Sequence, residues 1–118
     1  RDKLVTGVQT CALPIFWLCN NFFMNEAEIE QYLVKTVRAM DGEAYKFNSL
    51  SHRGVSDRIV CLPNGETWFI ELKTSGGKLS ALQKVFAQDM KRMNQHYACL
   101  WNREQVDRWA LERSTNKN

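Results

Sequence analysis

From Glu26 to Met40 the apolar positions Ile29, Leu33, Val37 and Met40 fall four, four and three residues apart, the spacing of one helix face. Asn25 stands where an N-cap is needed and Glu28 can close a capping box, so the pattern predicts a helix that ends near Gly42. Ala44 to Asn48 is short and aromatic, a strand, and the polar stretch Ser49 to Ser56 with Gly54 inside it is a loop. Arg58 to Leu62 and Thr67 to Leu72 are β-branched and aromatic runs on either side of Pro63-Asn64-Gly65, which predicts a hairpin. Beyond Thr74-Ser75-Gly76-Gly77, Ser80 and Gln83 form a second capping box, and Leu82, Phe86, Met90 and Met93 supply the inward stripe of a second helix. His96 to Trp101 reads as a fourth strand. Asn102 then caps a closing helix that runs to about Arg113, and Ser114 to Asn118 is expected to be a disordered tail. A hairpin followed by a helical crossover into another strand makes this an α/β chain, helix-strand-strand-strand-helix-strand-helix, with a small mixed sheet flanked by helices.

Residues 1–23 do not continue this pattern. Cys11 to Cys19 is nearly unbroken apolar sequence, yet it is too short to span a membrane, Pro14 interrupts it, and no small-residue cleavage site follows. Val5 to Ile15, VTGVQTCALPI, matches the in-frame translation of a common sequencing adapter. We therefore read 1–23 as an artefactual extension, Met24 as the natural start, and 24–113 as the domain.

At 118 residues the chain has room for one domain and excludes a large multidomain enzyme. Its 16 Lys+Arg against 13 Asp+Glu leave a net charge of +3, too little to identify a nucleic-acid binder by itself. The cysteines at 11, 19, 61 and 99 include no C-x-x-C pair, and His52 and His96 keep no zinc spacing, so a structural zinc site is not expected. Scattered cysteines read as reduced, buried small hydrophobes in a cytoplasmic protein. His96 and Cys99 share a core-like strand, which argues against a Cys/His nucleophile.

The chemistry lies around the hairpin. Glu71 and Lys73 are two residues apart and share a face, while Trp68, Ile70 and Leu72 point to the other. Whether Asp57 joins them depends on register. A two-residue Asn64-Gly65 turn would set Asp57 opposite Leu72, with the two carboxylates on opposite faces. A three-residue loop, with Pro63 opening a type I turn and Gly65 in the left-handed position of a bulge, sets Asp57 opposite Glu71. Pro63 favours the second. Opposed carboxylates about 4.5 to 5.5 Å apart at Cβ repel and raise each other's pKa unless a cation lies between them. Mg²⁺ suits such a site because it uses one or two carboxylates and keeps several waters. Lys73 would then orient water and stabilise charge on a phosphate. The competing reading of Glu71 and Lys73 is a surface ion pair on an exposed strand, in a protein unconnected with nucleic acid.

Lys73, Lys78, Lys84, Lys91 and Arg92 face only Asp89 in their segment, and with His52, Arg53 and Arg58 they could rim the site and touch phosphate. Loop and helix cations are otherwise simply solvated. Nothing in the sequence reads bases, so recognition of DNA shape is expected.

The string HRGVSDRIVCLPNGETWFIELK, His52 to Lys73, resembles the VRR-NUC branch of the PD-(D/E)xK nucleases, which carry a G-x-P-D segment, a hairpin and an E-x-K strand. Glu26 to Glu30 resembles that family's first helix, Lys46-Phe47 its first strand and Leu82-Gln83 the start of its second helix, so the likeness extends from about Glu26 to Trp101. The resemblance implies a restriction-endonuclease-like core and a Mg²⁺- or Mn²⁺-dependent deoxyribonuclease. By position it makes Asp57, Glu71 and Glu26 metal ligands, Lys73 the catalytic lysine and Gln83 an accessory residue of the site. Glu26 could instead belong to a solvated acidic first turn, and Gln83 already serves as a capping residue. Ser56 stands where the family usually has proline, which removes the ring that fixes the approach to Asp57. That departure motivates an alternative, a catalytically weakened DNA-binding module of the same fold. The resemblance further implies branched or junction DNA as substrate, a role in replication or repair, a homodimer, no membrane partner, and a phage or prophage setting in the bacterial cytoplasm.

Overall fold

The computed structural model describes residues 24–47, 54, 56–74 and 76–115. The chain runs α1 (Glu26–Ala39), β1 (Glu43–Lys46), β2 (Arg58–Cys61), β3 (Thr67–Leu72), α2 (Ala81–Arg92), β4 (His96–Leu100) and α3 (Arg103–Thr115). This is the element order the apolar pattern predicts. The expectations for residues 1–23, His52 and Arg53 lie outside the described residues. Among the described residues no helix is long and apolar enough to cross a membrane.

Each helix starts where its cap predicts. Asn25 Oδ1 accepts from the Glu28 N–H at 2.8 Å while Glu28 returns a carboxylate oxygen to the Asn25 N–H at 2.9 Å. Asn102 Oδ1 accepts from the Gln105 N–H at 2.9 Å at the head of α3. These bonds satisfy N–H groups that have no partner inside the helix. Asp41, in the left-handed region at φ 65, ends the turn after α1. The closing helix extends to Thr115 rather than stopping near Arg113, and Ser114 Oγ donates back to the Ala110 carbonyl at 3.2 Å. Ser114 and Thr115 therefore belong to the helix and not to the polar tail expected from Ser114.

The strands lie in the order β1-β2-β3-β4. β1, β2 and β3 pair antiparallel, and β4 joins β3 in parallel after the α2 crossover. One sheet face, with Ala44, Val60, Ile70, Leu72 and Leu100, buries against Ile29, Leu33 and Val37 of α1 and Val106, Trp109 and Ala110 of α3. Each large aliphatic side chain so buried contributes roughly 1.5–3 kcal/mol. α2 covers the other face at β3 and β4, where Phe86 meets Phe69 at 5.9 Å and Tyr97 at 6.2 Å between ring centroids.

Two expectations change here. Leu82 and Met93 do not point inward; they are 48% and 44% exposed. The inward stripe of α2 is Gln83, Phe86 and Met90, so a polar side chain takes the first inward slot. Cys61 and Cys99 are free thiols, but Cys61 is exposed at the end of β2 instead of buried.

Candidate active site

The hairpin register decides where the acids meet. The Leu62 N–H donates to the Glu66 carbonyl at 2.9 Å and the Gly65 N–H to the Leu62 carbonyl at 3.0 Å, closing the three-residue loop. Gly65 sits at φ 95, a conformation that side-chain-bearing residues rarely adopt. With Arg58 opposite Ile70 and Val60 opposite Trp68, the next residue outward on β2's lead-in, Asp57, comes opposite Glu71. The two carboxyl groups are in hydrogen-bonding contact.

Asp57 is fixed from several sides. Its Oδ2 accepts the Leu72 N–H at 3.0 Å, and its main-chain carbonyl accepts the Phe47 N–H at 3.1 Å. The side chain thus satisfies a β3 donor just before β2 begins. Sequence reasoning missed this second role of Asp57; an acid one residue before a strand is the signal that could have suggested it. Glu71 is 2% exposed and accepts a hydrogen bond from Gln83 Nε2 at 2.9 Å. Burial, then the charge and hydrogen bond of Asp57, push the Glu71 carboxyl up to about 8, with Lys73 pulling the other way. Near neutrality the neutral form of Glu71 is therefore favoured.

The remaining expected residues divide. Lys73 follows β3 by one residue, is half-buried, and its N–H is held by the Leu100 carbonyl at 3.1 Å. Glu26 is exposed in the first turn of α1 and is the weakest of the influences that raise Glu71. Among the described residues no group of three His, Cys, Asp or Glu side chains that could hold a metal ion is formed. Glu26 thus does not complete such a group with Asp57 and Glu71, although its charge acts on Glu71. Lys78 and Lys84 are exposed on either side of the α2 cap. Arg58, expected on the rim, points to the opposite sheet face: its Nε pairs with Glu30 at 2.7 Å and its Nη1 donates to the Ala44 carbonyl at 2.8 Å. Strand alternation alone requires this, since Arg58 is adjacent to Asp57. Cys99 lies beside Glu71 in the parallel register, and burial together with Glu71 pushes its thiol up to about 11, so it stays neutral.

The donor set fits a hard cation. Asp57 and Glu71 offer only oxygen, and the pair retains a proton that a divalent ion would displace. Asp57 and Glu71 are the residues that would hold it, and Gln83 keeps Glu71 aimed.

Ionising Glu71 has a measurable cost. A carboxyl raised on folding stabilises the protein fully below its ordinary value of 4.5. That contribution is lost as pH rises through about 8. Metal-free protein is therefore expected to lose thermal stability steadily from pH 5 to pH 8.5, with Mn²⁺ affinity rising over the same range. A flat melting profile in EDTA would contradict this assignment.

Ser56, 0% exposed, has no hydrogen-bond partner for its Oγ among the described residues. A buried unsatisfied hydroxyl costs about 1–3 kcal/mol. Ser56→Ala is expected to raise stability by roughly 1 kcal/mol and leave activity within about twofold, measured by urea unfolding and DNA cleavage.

No family model matches the chain. A protein of Acyrthosiphon pisum secondary endosymbiont phage 1, provisionally named nuclease p44, is 48% identical over 60 residues, which is 51% of this chain. The match spans 64% of that relative's length, short of two thirds. A solved structure described as a VRR_NUC domain superposes with a TM-score of 0.68 at 21% identity, covering 79% of this chain and 97% of that one.

Proposed function

Because the chain has the restriction-endonuclease-like α/β fold of a VRR-NUC domain, we propose that it is a nuclease that hydrolyses DNA phosphodiester bonds with Mg²⁺ or Mn²⁺ held by Asp57 and Glu71. The observation that carries this reading is the carboxyl pair at the open end of the hairpin, buried Glu71 on β3 and half-buried Asp57 just before β2, with Lys73 two residues beyond Glu71. The name of the phage relative supports it. An ion at this pair supplies Lewis-acid polarisation of the phosphoryl oxygens and acidification of water. Lys73 stabilises charge that builds on the phosphate, Asp57 is held rigid by the Leu72 N–H, and Gln83 orients Glu71. Exposed Lys78 and Lys84 meet the DNA backbone.

The substrate in this reading is branched or junction DNA met during replication or repair in a phage-infected bacterial cytoplasm. Backbone contacts without base readout favour shape over sequence. A homodimer would present two such sites to one junction, and sedimentation showing a strict monomer under active conditions ends that part. The test of the whole is incubation of the purified chain with linear, nicked, flapped and four-way DNAs, with Mg²⁺ and with EDTA. Metal-dependent cutting of the branched forms is expected. Absence of cutting on every substrate, with binding retained, would favour the weakened DNA-binding module that Ser56 suggests.

A further inference from the structure

The residues that start α2 and the residue that steadies Glu71 are the same. Gln83 Oε1 accepts the Ser80 main-chain N–H at 2.8 Å, and Gln83 Nε2 donates to Glu71 Oε2 at 2.9 Å. Ser80 Oγ in turn accepts the Gln83 N–H at 3.1 Å. A primary amide has one acceptor end and one donor end, and rotating it by half a turn exchanges them. At an ionised, metal-holding Glu71 only the donor end is useful; the acceptor end would set two oxygens against each other. Nothing in Gln83 itself selects the orientation. The Ser80 N–H does, because it can pair only with the oxygen.

We propose that Ser80 is a positioning residue for the metal-binding pair: its main-chain N–H locks the Gln83 amide so that the NH₂ end faces Glu71. This rests on the nuclease reading for its purpose, though not for its geometry. The hydroxyl of Ser80 serves the helix alone, whereas its N–H serves both the helix cap and the site, so the contribution of the N–H to the site can be separated from that of the hydroxyl. Ser80 has φ −69, which the proline ring matches. Ser80→Pro deletes both the N–H and the hydroxyl, whereas Ser80→Ala deletes the hydroxyl alone. Gln83→Glu is the complement, since it keeps an oxygen for the Ser80 N–H and loses the donor to Glu71.

The experiment uses the whole chain. The Gln83 side-chain NH₂ resonances are followed by NMR in metal-free protein, and Mn²⁺ affinity is followed by electron paramagnetic resonance. Ser80→Ala should lower the melting temperature yet keep the wild-type Gln83 resonances and Mn²⁺ affinity within twofold. Ser80→Pro should move those resonances to the position of a free amide and weaken Mn²⁺ roughly 10–100-fold, the usual effect of losing a group that orients a ligand. Gln83→Glu should melt below wild type in metal-free protein, because it sets a third carboxylate against Glu71 and Asp57. Equal effects of Ser80→Pro and Ser80→Ala on resonances and affinity overturn the proposal. If Ser80→Pro does not fold, the wild-type Gln83 NH₂ resonances decide: one set supports a locked amide, and two sets exchanging by amide rotation overturn the proposal. Wild-type protein that binds no Mn²⁺ would defeat the nuclease reading instead, and the NMR comparison would still decide the role of Ser80.

Discussion

Glu71→Gln is expected to reduce DNA cleavage roughly 10²–10⁴-fold while making the metal-free protein more stable than wild type at pH 8. The loss follows from removing a negative oxygen donor from the pair proposed to hold the ion; Lewis-acid assistance is worth several kcal/mol, and each 1.36 kcal/mol is tenfold in rate. The gain follows from Glu71's burial at 2% exposure against Asp57. Ionising it there is unfavourable, and an amide of the same shape has nothing to ionise. Glutamine also keeps an oxygen for Gln83 Nε2 and offers an NH₂ to Asp57, so the local bonds survive. Cleavage assays beside thermal melts in EDTA read both effects from one protein. Full activity in the variant would remove Glu71 from the site, and a lower melting temperature would mean that its burial does not strain the fold. A pair that is costly when empty and useful when filled is the usual trade between stability and activity.

Gly54→Ala is expected to destabilise the protein by roughly 2–4 kcal/mol and to lower activity in the molecules that still fold. Gly54 sits at φ 81, and a Cβ there would lie 2.5 Å from the main-chain carbon and oxygen of Leu82 and 2.9 Å from the Gln83 nitrogen. Backbone inside a helix turn cannot move aside as a flexible side chain can. The conformation and the contact are both unfavourable for alanine, and they act on the turn that carries Gln83. For a domain of this size, such a loss should lower the melting temperature by on the order of 10 °C or more. Saturating Mn²⁺ should recover only part of it. A melting temperature within 2 °C of wild type would show that Gly54 does not seat the helix.

The parts of this fold that sequence reveals are those set by local chemistry. Pro63 favours the three-residue loop over the two-residue turn, that loop sets the register, and the register brings Asp57 opposite Glu71. The capping pairs Asn25/Glu28 and Ser80/Gln83 locate two helix starts in the same way. What escapes is set by which element covers which part of the sheet. Leu82 keeps helical phase with Phe86, yet α2 ends its cover near the site, so Gln83 turns inward and Leu82 faces solvent. Arg58 has the charge expected of a phosphate contact, but Glu30 on α1 claims it. Cys61 looks like core until the hairpin end is seen to be open. Glu26 has the right phase for the sheet, but its distance from Asp57 depends on how α1 tilts, and residue spacing does not encode tilt.

Gln83 also limits how this chain can diverge. Its oxygen begins a helix and its nitrogen serves an acid on the sheet, so few replacements meet both demands. Glutamate lacks the donor, lysine the acceptor, and asparagine is a methylene short. Descendants that abandon the chemistry have no reason to retain glutamine over glutamate here, because the helix accepts either. Among relatives, glutamate at this position should therefore accompany loss of one of the two hairpin acids, and glutamine should accompany their retention.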